Sequence, residues 1–140
     1  MKILFIGDVF GRPGRKAVKE VLPALKKEHK LDLVIANGEN LAHGKGFTND
    51  TVKEVLDAGV DFLTSGNHVW DNKIHLAKLE DKSFPMIRPA NFPEGAFGRG
   101  YEIVEGGLMQ RILVINLMGR VFMKHDLDCP FKTLDRILKE

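Results

Sequence analysis

A single cysteine, Cys129, stands in 140 residues, so no disulfide can form within the chain. A reduced intracellular thiol is the first reading of it, ahead of a catalytic one. Long hydrophobic runs are also missing. The N-terminus offers Ile3 to Ile6 behind Lys2, and Gly7-Asp8 ends the run at once. A signal-peptide core needs about 7–15 apolar residues and a membrane helix about 20. The expected location is therefore the cytoplasm, with no membrane partner. An excess of charge of one sign is lacking too: 21 basic and 19 acidic residues leave a formal net charge of +2. No basic block stands out, which argues against nucleic-acid binding by bulk electrostatics and leaves a small anionic substrate compatible. There is no internal repeat, low-complexity tract or clear linker, and the length suits one domain with a core of its own.

What is present alternates strand and helix. Ile3–Ile6 is solidly apolar and reads as a buried strand. Arg12-Pro13-Gly14 opens a helix running toward His29, with Pro13 suited to the first turn and Pro23 expected to kink or split it. Leu33–Ala36 is a second strand. Thr48 reads as the N-cap of a helix through Leu56, with Gly59 as its stop. Phe62–Thr64 is a third strand, and a short helix is expected near Ile74 to Leu79. Pro85, Pro89 and Pro93 mark an irregular stretch. Tyr101–Val104 and Arg111–Leu117, joined through a Gly106-Gly107 turn, read as an antiparallel pair, and an amphipathic helix follows from Pro130. The order β-α-β-α-β implies a parallel sheet with right-handed crossovers, hence an α/β fold.

In a parallel sheet the loops that follow the strands gather at one edge, where open α/β sheets bind ligands. Polar residues fall there three times: Asp8 after the first strand, Glu39 and Asn40 after the second, Asn67 and His68 after the third. Two carboxylates, two amides and an imidazole are costly to desolvate together without cations. Such oxygen-rich donors suit Mn, Fe or Mg better than a thiolate-type zinc site. Each loop alone has an ordinary reading. Asp8 can cap the following helix, Glu39-Asn40 can be a solvated turn, and Gly66-Asn67 a left-handed turn. His43 and Lys45 lie in a glycine-rich loop and either touch a substrate phosphate or sit on a mobile surface. His29 suits a helix C-terminus, while His75 and His125, among charged residues, read as solvated. Gly7, Gly11 and Gly14 do not have the G-x-G-x-x-G spacing of a dinucleotide site.

Gly7-Asp8, Gly38-Glu39-Asn40 and Gly66-Asn67-His68 resemble the successive metal motifs of calcineurin-like phosphoesterases. The longer strings GDVFGRPGR, ANGEN, HGKGFT, TSGNHVWDN and IRPANFP resemble the YmdB-type subgroup, similar to 2′,3′-cyclic-nucleotide phosphodiesterases, over essentially the whole chain. Two departures from the wider superfamily stand out. Its Asp-x-His is here Asp8-Val9-Phe10, and the acid of its Gly-Asp motif is here Glu39. The acid that often follows the GNH histidine directly stands here at Asp71.

The resemblance implies the α/β/β/α sandwich of metallophosphoesterases, with residues 1–140 as the N-terminal half of one such domain. It implies two divalent metals, Fe or Mn first and Mg or Zn as alternatives. Asp8 and Asn40 would bind one metal, Glu39 would bridge both, and Asn67 would bind the second. His68 carries over as the catalytic histidine, outside the metal shell, in hydrolysis of a cyclic nucleotide or similar phosphodiester. Two metals usually take more protein ligands than these four, and the family's remaining histidines come from a second half. The chain is thus expected to be inactive alone, associated with that half or with another copy of itself. The alternative is a non-catalytic metal- or nucleotide-binding regulatory module.

Overall fold

The computed structural model describes residues 1–106 and 110–140. Strands β1 (Ile3–Ile6), β2 (Leu33–Asn37), β3 (Phe62–Thr64) and β4 (Met86–Ile87) form a parallel sheet in that spatial order. Helices α1 (Gly11–His29) and α2 (Asn49–Asp57) are the crossovers. Strands β5 (Tyr101–Glu105) and β6 (Arg111–Ile115) form a separate antiparallel pair, and α3 (Pro130–Ile137) follows. The fold is α/β, as the strand–helix alternation predicts. Gly107, half of the expected turn between β5 and β6, lies outside the described residues.

Side-chain alternation along the strands divides the core in two. One face of the sheet, with Val34, Ala36, Leu63 and Met86, packs on Val18 and Leu22 of α1 and Val52 and Val55 of α2. The other face, with Leu33, Ile35, Phe62 and Ile87, packs on Val114 of β6 together with Val104 and Ile112. Full burial of one such aliphatic side chain contributes about 1.5–3 kcal/mol, so both clusters hold the layers together. The capping of α2 follows the sequence: Thr48 Oγ1 accepts from Thr51 N at 3.2 Å, and Thr48 N donates to Thr51 Oγ1 at 2.9 Å.

Three expectations need correction and one, the short helix near Ile74, is refined. Strand β1 is not buried. It is the outermost strand, and Ile3 and Phe5 are 45% and 58% exposed while Leu4 and Ile6 pack toward α1. Ile3 and Phe5 pair in register with Leu33 and Ile35, so they share the face on which β5–β6 packs. That pair covers β2 to β4 and leaves β1 bare. Pro23 does not split α1, which runs continuously from Gly11 to His29. Pro23 and the residue four positions earlier, Lys19, both lie on the exposed side, where water can take up the freed carbonyl. The helix expected near Ile74–Leu79 is a 3₁₀ helix over Lys73–Glu80. The irregular proline stretch contains β4, too short at two residues to show a period, pairing Leu63 with Met86 and Thr64 with Ile87.

Candidate functional site

The parallel order brings the ends of β1, β2 and β3 side by side, and backbone bonds tie the three loops together. Val9 N donates to Asn37 O at 3.0 Å, Gly11 N to Asn40 O at 2.9 Å and Gly38 N to Thr64 O at 2.8 Å. The ordinary readings of these loops fail on geometry. Phe10, not Asp8, occupies the N-cap position of α1. Asn40 is buried, so its turn is not solvated. Asn67 is not among the residues with positive φ and opens a 3₁₀ turn, Asn67–Trp70.

Asp8 and Asn40 meet directly: Asn40 Nδ2 donates to Asp8 Oδ1 at 2.8 Å. That leaves Asn40 Oδ1, a buried acceptor without a partner among the described residues. An orphaned buried carbonyl oxygen is costly unless something occupies it. Glu39 is held by its own neighbourhood. Its N–H donates to Asn37 Oδ1 at 3.2 Å, and its Oε2 accepts from the backbone N–H of His68 at 3.2 Å. The carboxylate lies flat against Gly66, where an added Cβ would fall far inside contact with both oxygens. Gly66 therefore makes the seat for Glu39, and the GNH string begins with glycine for that reason.

His68 and Asp71 form a pair that the sequence spacing alone does not establish. Nδ1 of His68 lies 2.7 Å from Asp71 Oδ2, one 3₁₀ turn away. The loop carrying Asn67 and His68 is braced from below. Ser65 Oγ donates to Ile87 O at 2.8 Å, and Asn116 Nδ2 donates to Ser65 O at 2.7 Å. Asn91, fully buried, performs a similar service for the 116–128 segment. Its amide donates to Met118 O at 2.8 Å and Asp128 O at 3.0 Å, and accepts from Met118 N at 2.9 Å. Asn91 falls within the string IRPANFP, but neither bracing role is readable from sequence, because the partners are backbone groups far along the chain.

His43 and Lys45 are both exposed on a turn closed by Lys45 N to Ala42 O and Ala42 N to Gly46 O, each 2.9 Å. His43 holds φ +53, a left-handed conformation uncommon outside glycine. The turn borders a cavity of about 760 Å³ lined also by Asn40, His68 and Asp71, so both residues adjoin the candidate centre. His75 and His125 are less simply solvated than expected. His75 is half-buried with its ring 6.5 Å from that of Phe47, and the exposed His125 ring lies 5.4 Å from Phe92.

The residues present suit a hard cation as a partial shell. The Asp8 carboxylate, the unpaired Asn40 carbonyl oxygen and the seated Glu39 carboxylate are all oxygen donors of the kind such ions take. Among the described residues, no three His, Cys, Asp or Glu side chains cluster as a metal set by themselves.

The family model described as YmdB-like protein matches residues 4–140. The chain belongs to the YmdB-like family. It is 46% identical over its whole length to the 2′,3′-cyclic-nucleotide 2′-phosphodiesterase of Bacillus subtilis, of which it covers 52%. A crystal structure of a hypothetical protein from Thermus thermophilus superimposes with a TM-score of 0.91 at 45% identity, covering all of this chain and 53% of that one. A novel phosphatase from Mycoplasma pneumoniae gives 0.90 at 36% identity, covering all of this chain and 51% of that one. The chain thus spans about half the length of the relatives it matches. No helix among the described residues is long and apolar enough to cross a membrane.

Proposed function

We propose that this chain carries one half of a metal-dependent phosphodiesterase site for 2′,3′-cyclic nucleotides or similar diesters, as the N-terminal half of a single metallophosphoesterase domain. The observation that carries the reading is the buried, unpartnered Asn40 Oδ1 beside Asp8, at the edge where three strand-end loops converge. The substrate class rests on the name of the Bacillus subtilis relative, 46% identical over this whole chain. Asp8 and Asn40 would hold one divalent cation, Asn67 a second, and Glu39 would be shared. Bound cations, Fe or Mn before Mg or Zn, would supply an acidified water and offset the charge on the phosphate oxygens.

The chain's own residues divide the remaining work. In hydrolysis, a water oxygen bonds to phosphorus, one ester P–O bond breaks and the departing oxygen takes up a proton. His68 lines the cavity with Nδ1 engaged by Asp71; as the imidazolium it would deliver that proton from Nε2 and regain one from the attacking water. His43 and Lys45 would steady the substrate phosphate or its sugar.

The test uses protein expressed from the complete reading frame. Elemental analysis should find divalent metal, and adenosine 2′,3′-cyclic phosphate should be opened to a monophosphate. A metal-free protein, or a metal-loaded one that leaves the cyclic diester intact, would overturn the reading.

A further inference from the structure

Phe10 stands two positions after Asp8 and has no part in the proposed hydrolysis. It occupies the N-cap position of α1 and is 57% exposed. A single exposed aromatic is ordinary on a protein surface, but this ring is held in place. Its outer end abuts Gly44, where an added Cβ would lie 2.8 Å from Cε2 and closer still to Cζ. Only glycine lets the loop and the ring meet, and Gly44 also holds φ +85. Next along the chain, the Gly11 N–H bond to Asn40 O fixes the backbone. The tip of the ring therefore rests against the glycine loop, while the residue as a whole stays more than half exposed.

The open ring is part of the wall of the 760 Å³ cavity that also contains Asn40 and His68. That volume lies within the range of small-molecule sites, about 300–1,000 Å³. Asn72 adds a hydrogen-bonding side chain to the same wall, where the Thr48 hydroxyl is already engaged by Thr51. An anchored aromatic face beside a candidate phosphate site has the form of a stacking platform, because every nucleobase has a π-face to lay on it.

We propose that Phe10 is a specificity-determining residue that stacks on the base of a bound nucleotide. The inference rests on the phosphodiesterase reading for the position of the phosphate, and adds the part of the substrate that is recognised. Stacking is tolerant of base identity, so Phe10 selects nucleotides over base-free phosphodiesters and discriminates little among the four bases.

Binding separates this inference from the chemistry. Adenosine 3′-monophosphate and inorganic phosphate are titrated calorimetrically into the complete protein with Mn²⁺ present, as wild type, Phe10→Ala and Phe10→Leu. The leucine variant keeps apolar bulk against Gly44 while removing the flat face. The wild type should bind the nucleotide about tenfold more tightly than phosphate, the scale of one base–aromatic stack. Both variants should lose that preference while phosphate affinity stays the same. A wild type without nucleotide preference, or variants that keep it, would overturn the proposal; the second result is also expected if another protein segment covers the ring. Hydrolysis of the cyclic nucleotide is measured on the same samples. Absent hydrolysis with intact, Phe10-dependent nucleotide preference refutes the phosphodiesterase reading and supports this one.

Discussion

The carboxylate of Asp71 lies 2.7 Å from Nδ1 of His68, three residues earlier on the same 3₁₀ turn. A carboxylate at that nitrogen fixes the imidazole's tautomer and orientation, and so decides which nitrogen meets the substrate. Asp71→Asn should lower kcat of the complete enzyme by about 10–100-fold, a share of the usual acid–base contribution. KM and metal content should be unchanged. A variant with altered metal content would place Asp71 in the metal shell instead.

His68→Ala removes the proton donor itself. Turnover should fall by roughly 10²–10⁴ with both metals retained, because the reading puts His68 outside the shell. Metal loss on this substitution, measured by elemental analysis, would make His68 a ligand.

Gly66 and Gly7 flank the same centre and predict opposite outcomes. A Cβ at Gly66 collides with both oxygens of Glu39, whereas one at Gly7 meets nothing within 4 Å. Gly66→Ala should therefore displace Glu39 and strip metal as thoroughly as Glu39→Ala or Asp8→Ala, while Gly7→Ala retains it. Equal metal content in Gly66→Ala and wild type would show that Glu39 does not depend on this seat.

Cys129 sits at the N-cap position of α3. The backbone N–H of Lys132, and to a lesser degree that of Phe131, lowers the pKa of its thiol, partly opposed by desolvation, although the side chain makes no capping hydrogen bond. A lowered pKa means more thiolate at neutral pH. Alkylation by iodoacetamide at pH 7 should outpace that of a free cysteine, and the advantage should vanish in denaturant. Equal rates in folded and denatured protein would contradict this.

The sheet and the meeting of the three strand-end loops were legible because parallel order follows from β-α-β alternation, and loop placement follows from parallel order. Contacts that depend on three-dimensional closeness were not. Asn116 reaches Ser65 across 51 residues, and the fit of Glu39 on Gly66 spans two loops. Strand β1 shows the limit of periodicity. Four apolar residues in a row read as burial on both faces, but the sheet covers only the Leu4 and Ile6 side of its outermost strand. Pro23 does not split α1, since a breaker is tolerated where the orphaned carbonyl faces water.

That bare face leads to the last prediction. Ile3 and Phe5 on β1 and, on the outer face of the β5–β6 pair, Tyr101, Ile103 and Leu113 are exposed large apolar side chains. Each large apolar side chain gains about 1.5–3 kcal/mol on full burial, so leaving several in water is costly. Strand β1 also presents an unpaired backbone edge, a template for another strand. The relatives are about twice as long as this chain, and the expected cover is either the additional half they carry or a second copy. The 140-residue chain by itself should then self-associate, show low metal occupancy and fail to turn over 2′,3′-cyclic nucleotides even with Mn²⁺ or Fe²⁺ supplied. Replacing Ile3 and Phe5 together with threonine, which keeps β propensity, should shift it toward monomer without restoring activity. Light scattering combined with a hydrolysis assay decides the matter. A monomeric wild-type chain with two bound metals and steady turnover would show that these 140 residues need neither partner.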